Sequence, residues 1–211
     1  GYPLGFLFTC LLIVGCSSTY YAAWEAMGKE KRDLLRDNVE KARRDQTTAQ
    51  EEFKDALTRL KELTAFQGGE LEKAYDAVKT DYERCNERAE TLRSRIKTVN
   101  EVANDLFVEW QREIAQIESG SMKRDSESKL QTTQARYADL YDAMQRAEKQ
   151  MNPVLSKLKD NVLYLKHNLN AQAIGALDKE VLSIEQEVQK LIRDMETSIA
   201  KSDEFLASFG G

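Results

Sequence analysis

A chain of 211 residues with 32% charged and 41% apolar residues is long enough for one domain, and two prolines and ten glycines are too few turn formers for a β-rich fold. Its net charge of -5 comes from closely alternating acids and bases without a basic block, which argues against a nucleic-acid groove. Three cysteines, Cys10, Cys16 and Cys85, do not make a disulfide framework.

The chain begins with an apolar run, Pro3 to Gly15, and carries no charge before Glu25. The run is short of the ~20 residues that cross a bilayer as a helix and suits the apolar core of a signal peptide. It ends Leu12-Ile13-Val14-Gly15-Cys16-Ser17-Ser18. This pattern resembles the lipobox of bacterial lipoproteins, in which aliphatic residues and one small residue precede a cysteine. Each part has a chemical purpose. The thiol is the nucleophile that accepts a diacylglycerol as a thioether, and the small residue gives the signal peptidase access to the backbone. Cleavage then frees the Cys16 amine for further acylation. Several chains anchor far more firmly than one, since each buried CH₂ contributes ~0.8 kcal/mol. The competing reading is an ordinary signal peptide or span with a chance cysteine. Ser17, rather than Asp, after the cysteine matches the sorting signal for the outer membrane of enteric bacteria.

After a short tether the apolar residues repeat at alternating steps of three and four. The first seam runs Leu35, Val39, Ala42, Gln46, Ala49, Phe53, Ala56, Leu60, Leu63 and ends at Gln67-Gly68-Gly69. The second starts at Leu71, passes Cys85 and Ala103, continues through Leu106, Trp110, Glu113 and Ile117, and ends at Ser119-Gly120-Ser121. The third extends from Leu130 through Gln134, Tyr137, Tyr141, Met144, Glu148 and Met151 to Leu169. The fourth extends from Ile174 through Ser198, Ser202 and Phe205 to Phe209. Only Gln46, Glu113, Gln134, Glu148, Ser198 and Ser202 interrupt the four seams with polar residues, far fewer than the chain's average composition would place there. The pattern predicts an all-α fold: an elongated antiparallel bundle of about four long, coiled-coil-like helices, closed as a four-helix bundle or left as two hairpins. Asn152-Pro153 falls inside the third seam without a change of phase, so a single kinked helix is predicted there. The third turn, near 168–173, has neither Gly nor Pro before Gly175, and is read from a slip of phase.

Catalytic constellations are not apparent. His167 is the single histidine, which excludes a Ser-His-Asp set, a His cluster for zinc and the paired Glu-x-x-His of di-iron bundles. It reads as a surface or rim residue. Cys85 falls on the second seam and reads as a small buried hydrophobe. The polar seam residues Gln46, Glu113, Gln134 and Glu148 read as register-fixing positions, with a polar layer able to bind a ligand as the alternative. The aromatic cluster Tyr20, Tyr21 and Trp24, with Met27, lies close to Cys16. It either sits at the membrane surface or caps the base of the bundle.

The segment Tyr20-Tyr21-Ala22-Ala23-Trp24-Glu25-Ala26-Met27-Gly28-Lys29-Glu30-Lys31-Arg32 directly behind the lipobox resembles the start of a bacterial family of uncharacterised helical lipoproteins, known as a domain of unknown function. The resemblance extends through the chain, including Gln67-Gly68-Gly69. It implies an envelope location and an all-helical fold, and it brings no activity, catalytic residue or cofactor.

The expected organisation is a signal peptide over 1–15, a lipidated Cys16 and tether over 16–23, and a helical bundle over 24–211. The expected function is that of a non-enzymatic scaffold or interaction rod, facing the periplasm and anchored by lipid, with the outer membrane as its expected site. No metal or cofactor is expected beyond the covalent lipid on Cys16. Expected partners are the membrane, through the lipid, and an envelope protein, with no nucleic acid; self-association is left open. The alternative function is a helical carrier or chaperone with a groove for a lipid or unfolded client.

Overall fold

The structure is a computed structural model and describes residues 30–65 and 71–209. It contains four helices: α1 (Lys31–Thr64), α2 (Leu71–Ala115), α3 (Gly120–His167) and α4 (Ala171–Phe209). Among the described residues 95% are helical and none forms a strand. The longest helix, α3, has 48 residues and spans about 70 Å at 1.5 Å per residue.

Four apolar seams on four helices are buried together when each helix runs antiparallel to its neighbours around a shared axis. That is the arrangement found. Each helix packs against the next in the chain, and α4 packs back against α1, closing the ring. Cross-helix ion pairs mark every side of it. Asp45 meets Arg95 at 3.0 Å between α1 and α2, and Arg93 meets Glu148 at 2.9 Å between α2 and α3. Lys157 meets Glu187 at 3.4 Å between α3 and α4, and Arg43 meets Asp203 at 2.5 Å between α1 and α4. The closed bundle replaces the pair of loosely packed hairpins as an option.

The core follows the predicted seams closely in α1 and α4. Every seam residue from Leu35 to Leu63 is buried, as is every one from Ile174 to Phe205. A second strip, containing Leu34, Asn38, Leu140, Ala143, Ala147, Val154 and Asn161, is buried beside it. Each helix of a closed ring touches two neighbours, so its apolar face is wider than a two-stranded seam. Pro153 lies within the single helix α3, as its unbroken phase implied.

Two turns are visible. The first is Gln116–Ser119, slightly ahead of the predicted break, because Gly120 already belongs to α3. Ser119 holds an extended backbone (φ -68°, ψ 112°), and its carbonyl accepts the Lys123 N–H at 2.9 Å, which starts the helix there. The second, 168–170, is closed by Asn168. Its side-chain amide donates to the Tyr164 carbonyl at 3.0 Å and its backbone N–H to that of Leu165 at 3.2 Å. The asparagine side chain thus satisfies a carbonyl of the last turn while its backbone stays at negative φ (-130°, ψ 47°). The Gln67-Gly68-Gly69 turn lies outside the described residues.

Candidate functional site

α2 and α3 are longer than α1 and α4, and the excess is concentrated at one end. The first helical residue of α1 marks the level: the Lys31 ammonium lies 2.7 Å from the Glu109 carboxylate on α2. Beyond that point α2 continues to Ala115, turns, and returns as the first turns of α3. The hairpin is pinned across by Trp110, whose indole N–H donates to the Ser126 hydroxyl at 3.0 Å.

On the flank of this hairpin, where α1 starts and α4 ends, lies a cavity of about 880 Å³. Leu106 and Trp110 form its apolar wall, and Lys31 and Ser208 bring α1 and α4 to its rim. Its charge is mixed: Glu109 and Glu113 come from α2, and Lys129 and Arg136 from α3. The second predicted seam changes character here. Up to Ala103 its residues are buried or half-buried within the bundle, but Leu106 and Trp110 are half-buried and Glu113 is exposed. Phe107 and Ile114, one position further along, are buried instead. Among the described residues neither α1 nor α4 reaches past this level, so here Leu106 and Trp110 line the cavity while Phe107 and Ile114 are buried.

Next to the cavity the core is aromatic. Tyr137 packs edge-on against Phe107 at 5.5 Å and Phe205 at 6.1 Å, and stacks on Tyr141 at 5.9 Å. Its hydroxyl donates to Asn100 Oδ1 at 3.1 Å, and burial pushes its titration well above the usual tyrosine range.

The predicted polar seam residues are not brought together as one layer. Gln46 bonds to Ser198 across the core, and Glu148 pairs with Arg93 at the α2–α3 boundary. Glu113 lines the cavity, and Gln134 is half-buried on α3. His167 is exposed at the end of α3. Cys85 is buried in the core, where its thiol donates to the Glu52 carbonyl at 3.3 Å. Burial, with Glu52 and Asp81 nearby, pushes that thiol up to about 12. This is an inert packing residue and not a nucleophile. Cys16, Tyr20, Tyr21 and Trp24 lie outside the described residues.

Sequence reasoning missed two features. One is the cavity, which depends on unequal helix lengths. The other is the charge cluster at Asp81, which is buried and pairs with Arg59 at 3.1 Å and with Arg84. Arg84 also reaches Glu52 at 3.4 Å. The Asp81 carboxylate holds the Arg84 guanidinium above its ordinary titration, chiefly through their hydrogen bond. No group of three or more His, Cys, Asp or Glu able to hold a metal occurs among the described residues. No helix among them is long and apolar enough to cross a membrane.

No curated protein and no solved structure was found to match the chain. A family model described as "Protein of unknown function (DUF2959)" matches residues 20–209, nearly the whole chain and all four helices. The chain therefore belongs to this family of proteins of unknown function.

Proposed function

We propose that the chain is a non-enzymatic envelope lipoprotein: a rod held at the outer membrane through acyl chains on Cys16 and facing the periplasm, where it meets another envelope protein. The observation that carries the reading is the succession of parts along the chain. An apolar run ends at Leu12-Ile13-Val14-Gly15-Cys16, and a closed helical bundle begins at Lys31, shortly after it. A long bundle with mixed surface charge and a core of packed side chains is a spacer, suited to contact at a distance from its anchor. Its cavity is lined by carboxylates, cations and hydroxyls beside Leu106 and Trp110, a mixed surface suited to a binding or packing role.

The carrier or chaperone reading draws on the same cavity and its Trp110 wall. A client groove along the bundle would need a continuous apolar strip. Among the described residues the exposed large apolar side chains are instead dispersed: Val108 and Met122 near the α2–α3 turn, Leu163 and Tyr164 near the end of α3, and Leu182 within α4. This favours the rod. The test is metabolic labelling with a fatty-acid analogue. The wild-type chain is expected to take up label and Cys16→Ser to take up none. Equal labelling of both would refute Cys16 as the anchor point.

A further inference from the structure

We propose that the flank cavity between α2 and α3 binds a short extended peptide segment of a partner protein, with an acidic side chain at Arg136, a basic side chain at Glu113, and apolar side chains between them against Leu106 and Trp110. This deepens the reading of the chain as an interaction protein and rests on it, while requiring nothing of the lipid anchor.

Two stripes of side chains form the cavity floor. Leu106, Trp110 and Glu113 follow one another at steps of four and three along α2, and Ser128, Thr132 and Arg136 at steps of four along α3. Residues at those steps share one helix face, so the floor is a trough parallel to both helices. Cross-helix hydrogen bonds fix its register: Tyr137 reaches Asn100, and Trp110 reaches Ser126. Arg136, next to Tyr137, is therefore level with α2 near Asn100. Glu113 lies about 20 Å farther toward the turn at 1.5 Å per residue, with Leu106 and Trp110 between the two levels.

The charges of both signs separate into two groups along the trough. In its middle they are already neutralised: Lys31 pairs with Glu109 at 2.7 Å, and Lys129 pairs with Asp125 at 2.8 Å. At its two ends, the Arg136 guanidinium and the Glu113 carboxylate have no hydrogen bond or ion pair among the described residues. Glu30, on the turn side of Lys31, adds a second carboxylate to the Glu113 end. The Thr132 and Thr133 hydroxyls donate to the Ser128 and Lys129 carbonyls of their own helix at 2.9 and 2.8 Å, which leaves their lone pairs as acceptors. An extended peptide has N–H donors at regular intervals for such acceptors. Rising ~3.3 Å per residue, it carries opposite charges about six positions apart over this span. A wholly apolar chain leaves both end charges unpaired, and a compact zwitterion reaches only one of them.

The experiment measures fluorescence anisotropy of a labelled hexapeptide, Glu-Ser-Leu-Leu-Ser-Lys, blocked at both termini, with the purified full chain. Saturable binding is expected, at equal affinity for the Cys16→Ser chain. Arg136→Gln and Glu113→Gln are each expected to weaken it about tenfold. A peptide with lysine at both ends is expected to bind the parent poorly and to regain affinity for Arg136→Glu, an exchange that damage to the fold does not produce. Absence of saturation, or binding indifferent to Arg136→Gln and Glu113→Gln, overturns the proposal. So does equal binding of the two-lysine peptide to the parent and to Arg136→Glu. Displacement by phosphoethanolamine at the concentration of the peptide assigns the site to a small zwitterion and also overturns it. Retained binding in a chain that takes up no fatty-acid label supports the proposal and refutes the anchor alone.

Discussion

Gln46 on α1 donates its side-chain amide to the Ser198 hydroxyl on α4 at 2.8 Å, and both residues are completely buried. Around them the seams are apolar apart from the buried Ser202, whose hydroxyl donates to the Ser198 carbonyl at 2.9 Å, with Ala42, Ala49, Leu191 and Met195 close by in sequence. A polar pair inside such seams penalises any register of α4 against α1 that separates the two groups. Gln46→Ala removes packing volume and leaves the Ser198 hydroxyl without this donor. It is expected to cost about 2–3 kcal/mol in urea unfolding. The double substitution Gln46→Met with Ser198→Ala removes both polar groups and keeps most of the volume, so it is expected to lie within about 1 kcal/mol of the parent. A double variant no more stable than Gln46→Ala would contradict this account.

Asp81 is the second buried polar anchor, with a side chain only 4% exposed between two half-exposed arginines, Arg59 and Arg84. Removing the acid leaves both cations facing the α1–α2 boundary without it. Solvent screens them, so the expected loss for Asp81→Ala is about 1–2 kcal/mol, below that for a fully buried pair. A double-mutant cycle with Arg84→Ala measures the coupling. Strictly additive losses would show that the contact contributes no net stability.

Alkaline pH should weaken the fold. The folded Cys85 thiol titrates near 12, above its ordinary 9.0, and Tyr137 is also shifted upward. With the folded value raised, the unfolded chain loses its proton first. The stability linked to Cys85 is therefore complete below pH 9 and is lost as pH rises toward 12. Its contribution to the slope is at most about 1.4 kcal/mol per pH unit. Denaturant unfolding at pH 8 and pH 10.5 is expected to show this loss, with a shallower slope for Cys85→Ala. An unchanged slope would remove Cys85 as a cause.

The aromatic junction makes a further prediction. Phe205, buried near the end of α4, packs edge-on against Tyr137, whereas Trp110 lies partly open on the cavity wall. Phe205→Ala is expected to cost about 3–5 kcal/mol. It should also expose α4 amides near Phe205 to faster hydrogen exchange than those near Ile184. Uniform exchange along α4 would contradict a role for this ring in holding the helix end.

The sequence was most legible where each helix has partners along its whole length. In α1 and α4 the three-and-four spacing identifies the core residue by residue, because burial of one face is what makes such helices stable. The flanking strip at Leu34, Leu140 and Val154 was missed because seam counting assumes a narrow contact, whereas a closed ring buries a third position. The shift from Leu106 to Phe107 could not be read, since it follows from where other helices end. The cavity was hidden for the same reason. Ser119-Gly120-Ser121 correctly marked a reversal, but its glycine opens α3 instead of ending α2. The proposed lipobox rests on neighbouring residues alone, independent of packing, and Cys16 with its aromatic neighbours lies outside the described residues.

The central claim is that Cys16 is the anchored first residue of a mature rod. Mass spectrometry of the membrane-extracted protein, with analysis of its N-terminal peptide, tests this most directly. The account predicts a peptide that begins at Cys16, carries a diacylglyceryl thioether and lacks residues 1–15. An unmodified Cys16 within a peptide that still contains Leu12-Ile13-Val14-Gly15 would contradict it.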